Sequence, residues 1–197
     1  MDCARAAWRC GEAGVCSRCA EQGPTCCVLT PGSEDLCFPV STIERHRIEE
    51  QIGLDRGAFT LEPNSVAFRD SMHRMFPNDG TAVELLFPEG GTHARLSCDK
   101  EGRCVFLRRS GCLLPRPARP YYCRLFPLWV TGERITVFAA AGCLARREAQ
   151  DLAAILDLLK CAAFTAFDLH GRLRLAWGLP PKEGLPCVTP SRARFPK

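Results

Sequence analysis

Thiols are the residues of this chain with the most chemistry to offer, and one run of them extends from Cys104 to Cys143. Cys104, Cys112, Cys123 and Cys143 are separated by seven, ten and nineteen residues, a spacing that needs a fold to close it. Thiols gathered by a fold serve as metal ligands, disulfide partners or nucleophiles. A second group, Cys3, Cys10, Cys16, Cys19, Cys26 and Cys27, lies within the first 27 residues. Cys16-Ser17-Arg18-Cys19 is a CxxC, a common knuckle for offering two thiolates to one metal, and Gly11, Gly14, Gly23 and Pro24 around it favour turns. Cys26 and Cys27 are adjacent, so their side chains diverge; two metals or one polynuclear cluster would use both.

Fourteen cysteines in 197 residues would suggest a disulfide framework in an exported chain. The first residues, however, hold no continuous apolar run of the signal-peptide kind. The longest apolar stretch, Val137 to Ala145 broken by Gly142, is far short of the roughly 18 residues that span a membrane. The expectation is a soluble, cytoplasmic protein with no membrane partner, in which dense thiols mean metal sites more often than structural disulfides. With 46% apolar and 24% charged residues the chain is an ordinary globular one, long enough for one sizeable core. A net charge of +4 is too small to argue for nucleic-acid binding. Yet Arg103, Arg108, Arg109, Arg116, Arg119 and Arg124 all fall between Cys98 and Phe126, where guanidinium groups would offset thiolate charge.

The elements that must position these thiols read as follows. Val28 to Thr30 and Leu36 to Val40 resemble short strands across a Pro31-Gly32 turn, and Ser41 or Thr42 caps a helix from Ile43 to Ile52. Residues 53 to 80 carry little pattern; Ala82 to Phe87 reads as a strand. Ala94 to Cys98 and Arg103 to Leu107 flank Asp99-Lys100-Glu101-Gly102 as a hairpin, which sets Cys98 as a further candidate beside Cys104. Pro115, Pro117 and Pro120 exclude regular helix before Tyr121, as a rigid ligand-presenting loop requires, and Tyr121, Tyr122, Phe126 and Trp129 supply apolar shielding. Arg134 to Ala139 reads as a strand. A long C-terminal helix is expected over about residues 144 to 169, with Leu152, Ile155, Leu156, Leu159 and Ala163 as its apolar face and Cys161 turned away from it. Gly171 then ends the helix, and Arg172 to Trp177 alternates like a strand. His46 and His73 read as bland surface or packing residues, and Cys187 as incidental.

Cys26-Cys27, Cys104-Val105-Phe106-Leu107, Gly111-Cys112, Arg119-Pro120 and Cys123-Arg124-Leu125-Phe126-Pro127 together resemble the YkgJ-type cysteine-cluster family, described as zinc- or iron-chelating domains. That family shows CxxCxxCC followed by CPFL, GxC and RPxxCRxFP, and the likeness covers about residues 16 to 143. Six residues separate Cys19 from Cys26 where the family has two, and Val105 stands where it has proline; neither change removes a thiol.

The expected fold class is therefore α+β: a small cysteine-rich single domain over residues 1–177, organised around a metal site, with a Pro-rich basic tail over 178–197. Its candidate ligands are Cys16, Cys19, Cys26, Cys27, Cys104, Cys112, Cys123 and Cys143. All-sulfur ligation suits zinc or iron, including a 4Fe-4S cluster, and the ligand type alone does not choose between them. Metal binding is the leading reading of function. A likeness to flagellin lysine methylases in the cysteine motif implies an alternative, an iron-sulfur enzyme that methylates protein lysine. No glycine-rich cofactor loop supports it, and Asp168 with His170 is the nearest approach to an acid-base pair. A zinc-stabilised module binding nucleic acid or protein through the arginines is a further alternative, without recognised finger or ribbon spacing.

Overall fold

A capping box starts the best-defined helix. In the computed structural model, which describes residues 14–53 and 57–185 apart from the Glu34 side chain, Ser41 accepts from the Glu44 amide while the Glu44 carboxylate accepts from the Ser41 amide. This satisfies two donors that a helix start otherwise leaves open. Helix α2 accordingly runs Thr42–Ile52 and ends where Gly53 takes a φ of 75°, close to the expected span. Helix α1 (Gly14–Gln22) precedes it and carries the CxxC. Strand β1 (Phe59–Pro63) and helix α3 (Val66–Met75, capped by Ser65) occupy the stretch that shows little pattern. The expected strand over Ala82 to Phe87 is instead helix α4 (Gly80–Leu86). Its burial explains the correction: Val83 and Phe87, four apart, are buried while Leu85 is exposed, the period of a helix.

Three two-stranded antiparallel sheets account for the named strands among the described residues. β1 pairs with β2 (Thr92–Leu96), β3 (Leu107–Arg108) with β4 (Gly111–Cys112), and β5 (Leu128–Thr131) with β6 (Arg134–Val137). The hairpin expected around Asp99 is present only as a bridge between Cys98 and Cys104, and β2 forms its ladder with β1. Val28 to Thr30 and Leu36 to Val40 are not ladder strands either; Val28 makes a single bridge to Arg103, and Glu34–Leu36 is a 3-10 turn. After the proline loop comes the short helix α5 (Tyr121–Leu125), which carries Cys123.

The long C-terminal helix is broken into α6 (Leu144–Glu148), α7 (Leu152–Leu158) and α8 (Ala163–Ala176). Asp151 restarts the chain by accepting from the Ala154 amide, and Lys160 at a φ of 47° ends α7. Both are cap and stop devices inside an otherwise continuous apolar period. Gly171 does not stop α8 but lies inside it, packed under Pro181. Arg172 to Trp177 is not a strand: Leu169 and Leu173 are buried four apart on the same helix, while Leu175 is exposed. Cys161, expected to point away from the apolar face, is buried in the core.

Two apolar clusters result. The larger gathers Phe38, Phe68, Phe76, Phe87, Trp129, Leu169 and Leu173 around α8 and β5, each large side chain contributing roughly 1.5 to 3 kcal/mol on burial. The smaller, with Val40, Ile48, Ala58, Phe106 and Leu114, lies beneath the cysteine loops, and Cys104 and Cys112 pack against it. Cys3, Cys10, Cys187, Arg192, Arg194 and Lys197 lie outside the described residues.

Candidate functional site

The two cysteine groups meet through backbone. Cys104 donates its amide to the Cys27 carbonyl at 2.9 Å and Leu29 donates to Gly102 at 2.8 Å, laying residues 27 to 29 along the Asp99 turn. This approach depends on glycine: Gly102 has a φ of 79°, and a Cβ there would stand 1.7 Å from the Leu29 carbonyl oxygen. Asp99 closes the turn, its carboxylate accepting from the Glu101 and Arg103 amides.

Helix α1 packs against β4, which ends at Cys112, and against α6, which Cys143 precedes as its N-cap. Gly111 sits against Ser17 and Gly142 against Pro24. The thiol of Cys19 reaches the carbonyls of Pro24 at 3.6 Å and Gly142 at 3.9 Å, and Arg18 makes a two-pronged ion pair with Glu148 at 2.7 Å. Cys16, Cys19 and Cys143 are thus drawn to one side of the site.

Helix α5 brings the remaining thiol. The buried Glu44 carboxylate, already engaged with Ser41, also accepts from the Tyr121 amide at 2.7 Å, the first residue of α5. Arg47 lies 4.4 Å over the Tyr121 ring and donates to the Arg119 carbonyl at 2.9 Å. Tyr122 stacks on Phe38 with ring centres 4.6 Å apart, and Phe126 stacks on Phe138. The aromatics flanking Cys123 therefore do the expected packing, with Trp129 part of the large core.

Electrostatics identify Cys27 as the common neighbour. Its negative charge raises the pKa of Cys16, Cys26, Cys98, Cys104, Cys112 and Cys123. In all of these but Cys26 burial is the larger cause; it pushes Cys104 up to about 12 and Cys123 well above the ordinary thiol range. Cys26 and Cys27 hydrogen-bond each other, which lowers Cys27 to about 7 and raises Cys26; Thr25 and Arg119 also favour the Cys27 thiolate. Arg119 pulls Cys112 back toward ionisation, and Arg116 does so for Cys16. Cys26 and Cys123 keep solvent-accessible surface although neighbouring protein desolvates them, as groups lining a concave surface do.

The Cys27 charge thus acts on Cys26, Cys98, Cys104, Cys112 and Cys123, and the charges of Cys143, Cys19 and Cys27 act on Cys16. Among the described residues, no group of three or more His, Cys, Asp or Glu side chains is arranged to hold a metal ion. The thiols are within electrostatic reach of one another without forming a set at bonding distance.

Cys37 was not expected here, yet its charge acts on Cys123 and Tyr122. The signal available in sequence was a cysteine in the turn-bounded apolar run that also holds Phe38. Arg47, which nothing in the sequence singles out, also bears on the site through Arg119 and Tyr121. Of the arginines expected around the site, Arg116 and Arg119 act on thiols, whereas Arg108 folds back onto the Val105 and Leu107 carbonyls. Asp168 and His170 do not form an acid-base pair. Asp168 accepts from Arg172 at 2.8 Å, and His170 is buried edge-on to Trp129. His46 is exposed and His73 half-buried beside Gly80, in agreement with bland roles. Among the described residues no helix is long and apolar enough to cross a membrane. No family model, curated protein or solved structure matches the chain.

Proposed function

We propose that this chain is a metal-binding protein that takes zinc or iron, the latter as an ion or an iron-sulfur cluster, through thiolates gathered around Cys27. The observation that carries this reading is the convergence of the cysteine-bearing segments: the Cys104 amide donates to the Cys27 carbonyl at 2.9 Å, α1 packs on the strand that ends at Cys112 and on the helix that Cys143 caps, and Glu44 fixes α5 with Cys123. Collecting thiols where burial and mutual repulsion raise their pKa values is unfavourable for the thiolates alone, and a cation reverses that balance. The donor chemistry fits: sulfur ligands suit zinc and iron-sulfur clusters, and Arg116 and Arg119 offset excess negative charge. Cys16, Cys19, Cys26, Cys27, Cys104, Cys112, Cys123 and Cys143 would supply the ligands, eight thiolates being enough for two four-sulfur sites or for one four-iron cluster with a second metal. Four-thiolate ligation supplies structural support or electron transfer. The likeness to YkgJ-type chelating domains supports the same reading, and a reducing, cytoplasmic setting suits it.

Metal analysis of protein purified without oxygen tests this. Stoichiometric zinc or iron is expected, and broad visible absorption would assign iron-sulfur. Well-folded, metal-free protein would end the proposal. Cys123→Ser is expected to lose metal and to unfold at lower denaturant concentration, because binding and folding are linked.

A further inference from the structure

We propose that Cys98 and Cys104 form a redox-active dithiol that closes to an intrachain disulfide by exchange with a small disulfide such as oxidised glutathione. The two residues are directly opposite in an antiparallel bridge. The flanking hydrogen bonds, Asp99 amide to Arg103 carbonyl at 2.9 Å and Val105 amide to Ser97 carbonyl at 3.0 Å, lie outside the pair. Cys98 and Cys104 are therefore a non-hydrogen-bonded pair, whose Cα atoms stand about 4.5 Å apart with both side chains on one face. A disulfide spans Cα separations of roughly 4.4 to 6.8 Å. The Asp99 carboxylate and the Gly102-to-Asp99 hydrogen bond hold the turn that joins them, so closure needs little backbone movement.

Both side chains are partly exposed, which admits the reagent. Cys26 and Cys27 are also neighbours, but their Cα atoms, about 3.8 Å apart across one peptide, fall below the span of a disulfide. In the exchange, one thiolate attacks glutathione disulfide and expels one glutathione thiolate. The second cysteine then attacks the mixed disulfide and expels the other. Two protein thiols are oxidised, and one glutathione disulfide is reduced to two thiols. The dithiol rests on its own geometry rather than on the metal reading; if Cys104 is a ligand, closure withdraws it from the set around Cys27.

The test uses the full chain as purified, equilibrated at mildly alkaline pH in glutathione buffers of increasing oxidised fraction, then alkylated and digested with trypsin. Cleavage after Lys100 and Arg103 leaves two peptides joined only by the proposed bond. That linked pair is expected to be the first intrachain disulfide to appear, and Cys98→Ser is expected to leave Cys104 as an alkylated thiol or a glutathione adduct. If another pair closes first, or Cys98 and Cys104 stay alkylated throughout, the proposal is overturned. Metal content measured on the same samples separates the two readings. Bound metal without the linkage removes this proposal alone, and the linkage in metal-free protein removes only the metal reading.

Discussion

Gly102 shows how much of the site hangs on one backbone position. The thiols of Cys26 and Cys27 reach the Cys104 loop only because the chain from Cys27 to Leu29 lies against the Asp99 turn, and a Cβ at Gly102 would fall inside the Leu29 carbonyl. Its φ of 79° adds strain for any other residue. Gly102→Ala is therefore expected to undock the Cys27 segment at a cost of about 1 to 3 kcal/mol. It should reduce bound metal while far-UV circular dichroism keeps its helical signal, since the large core lies elsewhere. Denaturant unfolding and metal stoichiometry measure the two effects. Unchanged metal content would show that this docking does not assemble the site. Residue-level chemistry was legible here only in part: the cysteines and the Asp99-to-Gly102 turn stand out in the sequence, but the partner of that turn is set by a contact across more than seventy residues, between Leu29 and Gly102.

At the scale of elements, α2 is the clamp that sets α5 and with it Cys123. Glu44 completes its own capping box with one carboxylate oxygen and holds the Tyr121 amide with the other. Glu44→Gln leaves one acceptor oxygen for donors on both sides and turns an amide N–H toward one of them. Losing a buried charge-assisted hydrogen bond costs about 2 kcal/mol. Urea unfolding should show that loss, and hydrogen exchange at the Tyr121 amide should accelerate; unaltered exchange there would dissociate Glu44 from α5. The capping box explains why α2 was readable, since its start signal and apolar stripe agree. The segment after Cys143 was less readable for the opposite reason. Its apolar period runs on through residues 144 to 169, while Asp151 and Lys160 interrupt the backbone without breaking the pattern. Short apolar runs such as Ala82 to Phe87 fit either period until tertiary burial chooses one.

Over the whole molecule, the thiol site and the main core respond to acid through different groups, and the difference can be measured. His170 sits in α8 beneath Trp129, and its Nε2 has no hydrogen-bond partner. Burial, with the Arg174 guanidinium second and the Asp79 carboxylate opposing, lowers its pKa from 6.5 to about 4. Arg174 and Asp79 are themselves a buried ion pair at 2.8 Å that ties α8 to the start of α4. The unfolded chain therefore binds a proton at His170 over a range in which the folded chain does not. The stability that a neutral His170 allows is complete above about pH 6.5 and is lost as pH falls toward about 4, for a total of about 3 kcal/mol. Protonation of the thiolates would also weaken a metal-bound form in acid, so the comparison must be between proteins that share that term. His170→Leu removes the titrating group, gives up no hydrogen bond at Nε2 and keeps the apolar contact with Trp129. Relative to the variant, the wild-type protein is expected to lose about 2 to 3 kcal/mol more between about pH 7 and about pH 4.5, read from urea midpoints at each pH. Equal acid sensitivity in the two proteins would place the whole response outside the α8 core and leave the thiols and carboxylates to account for it.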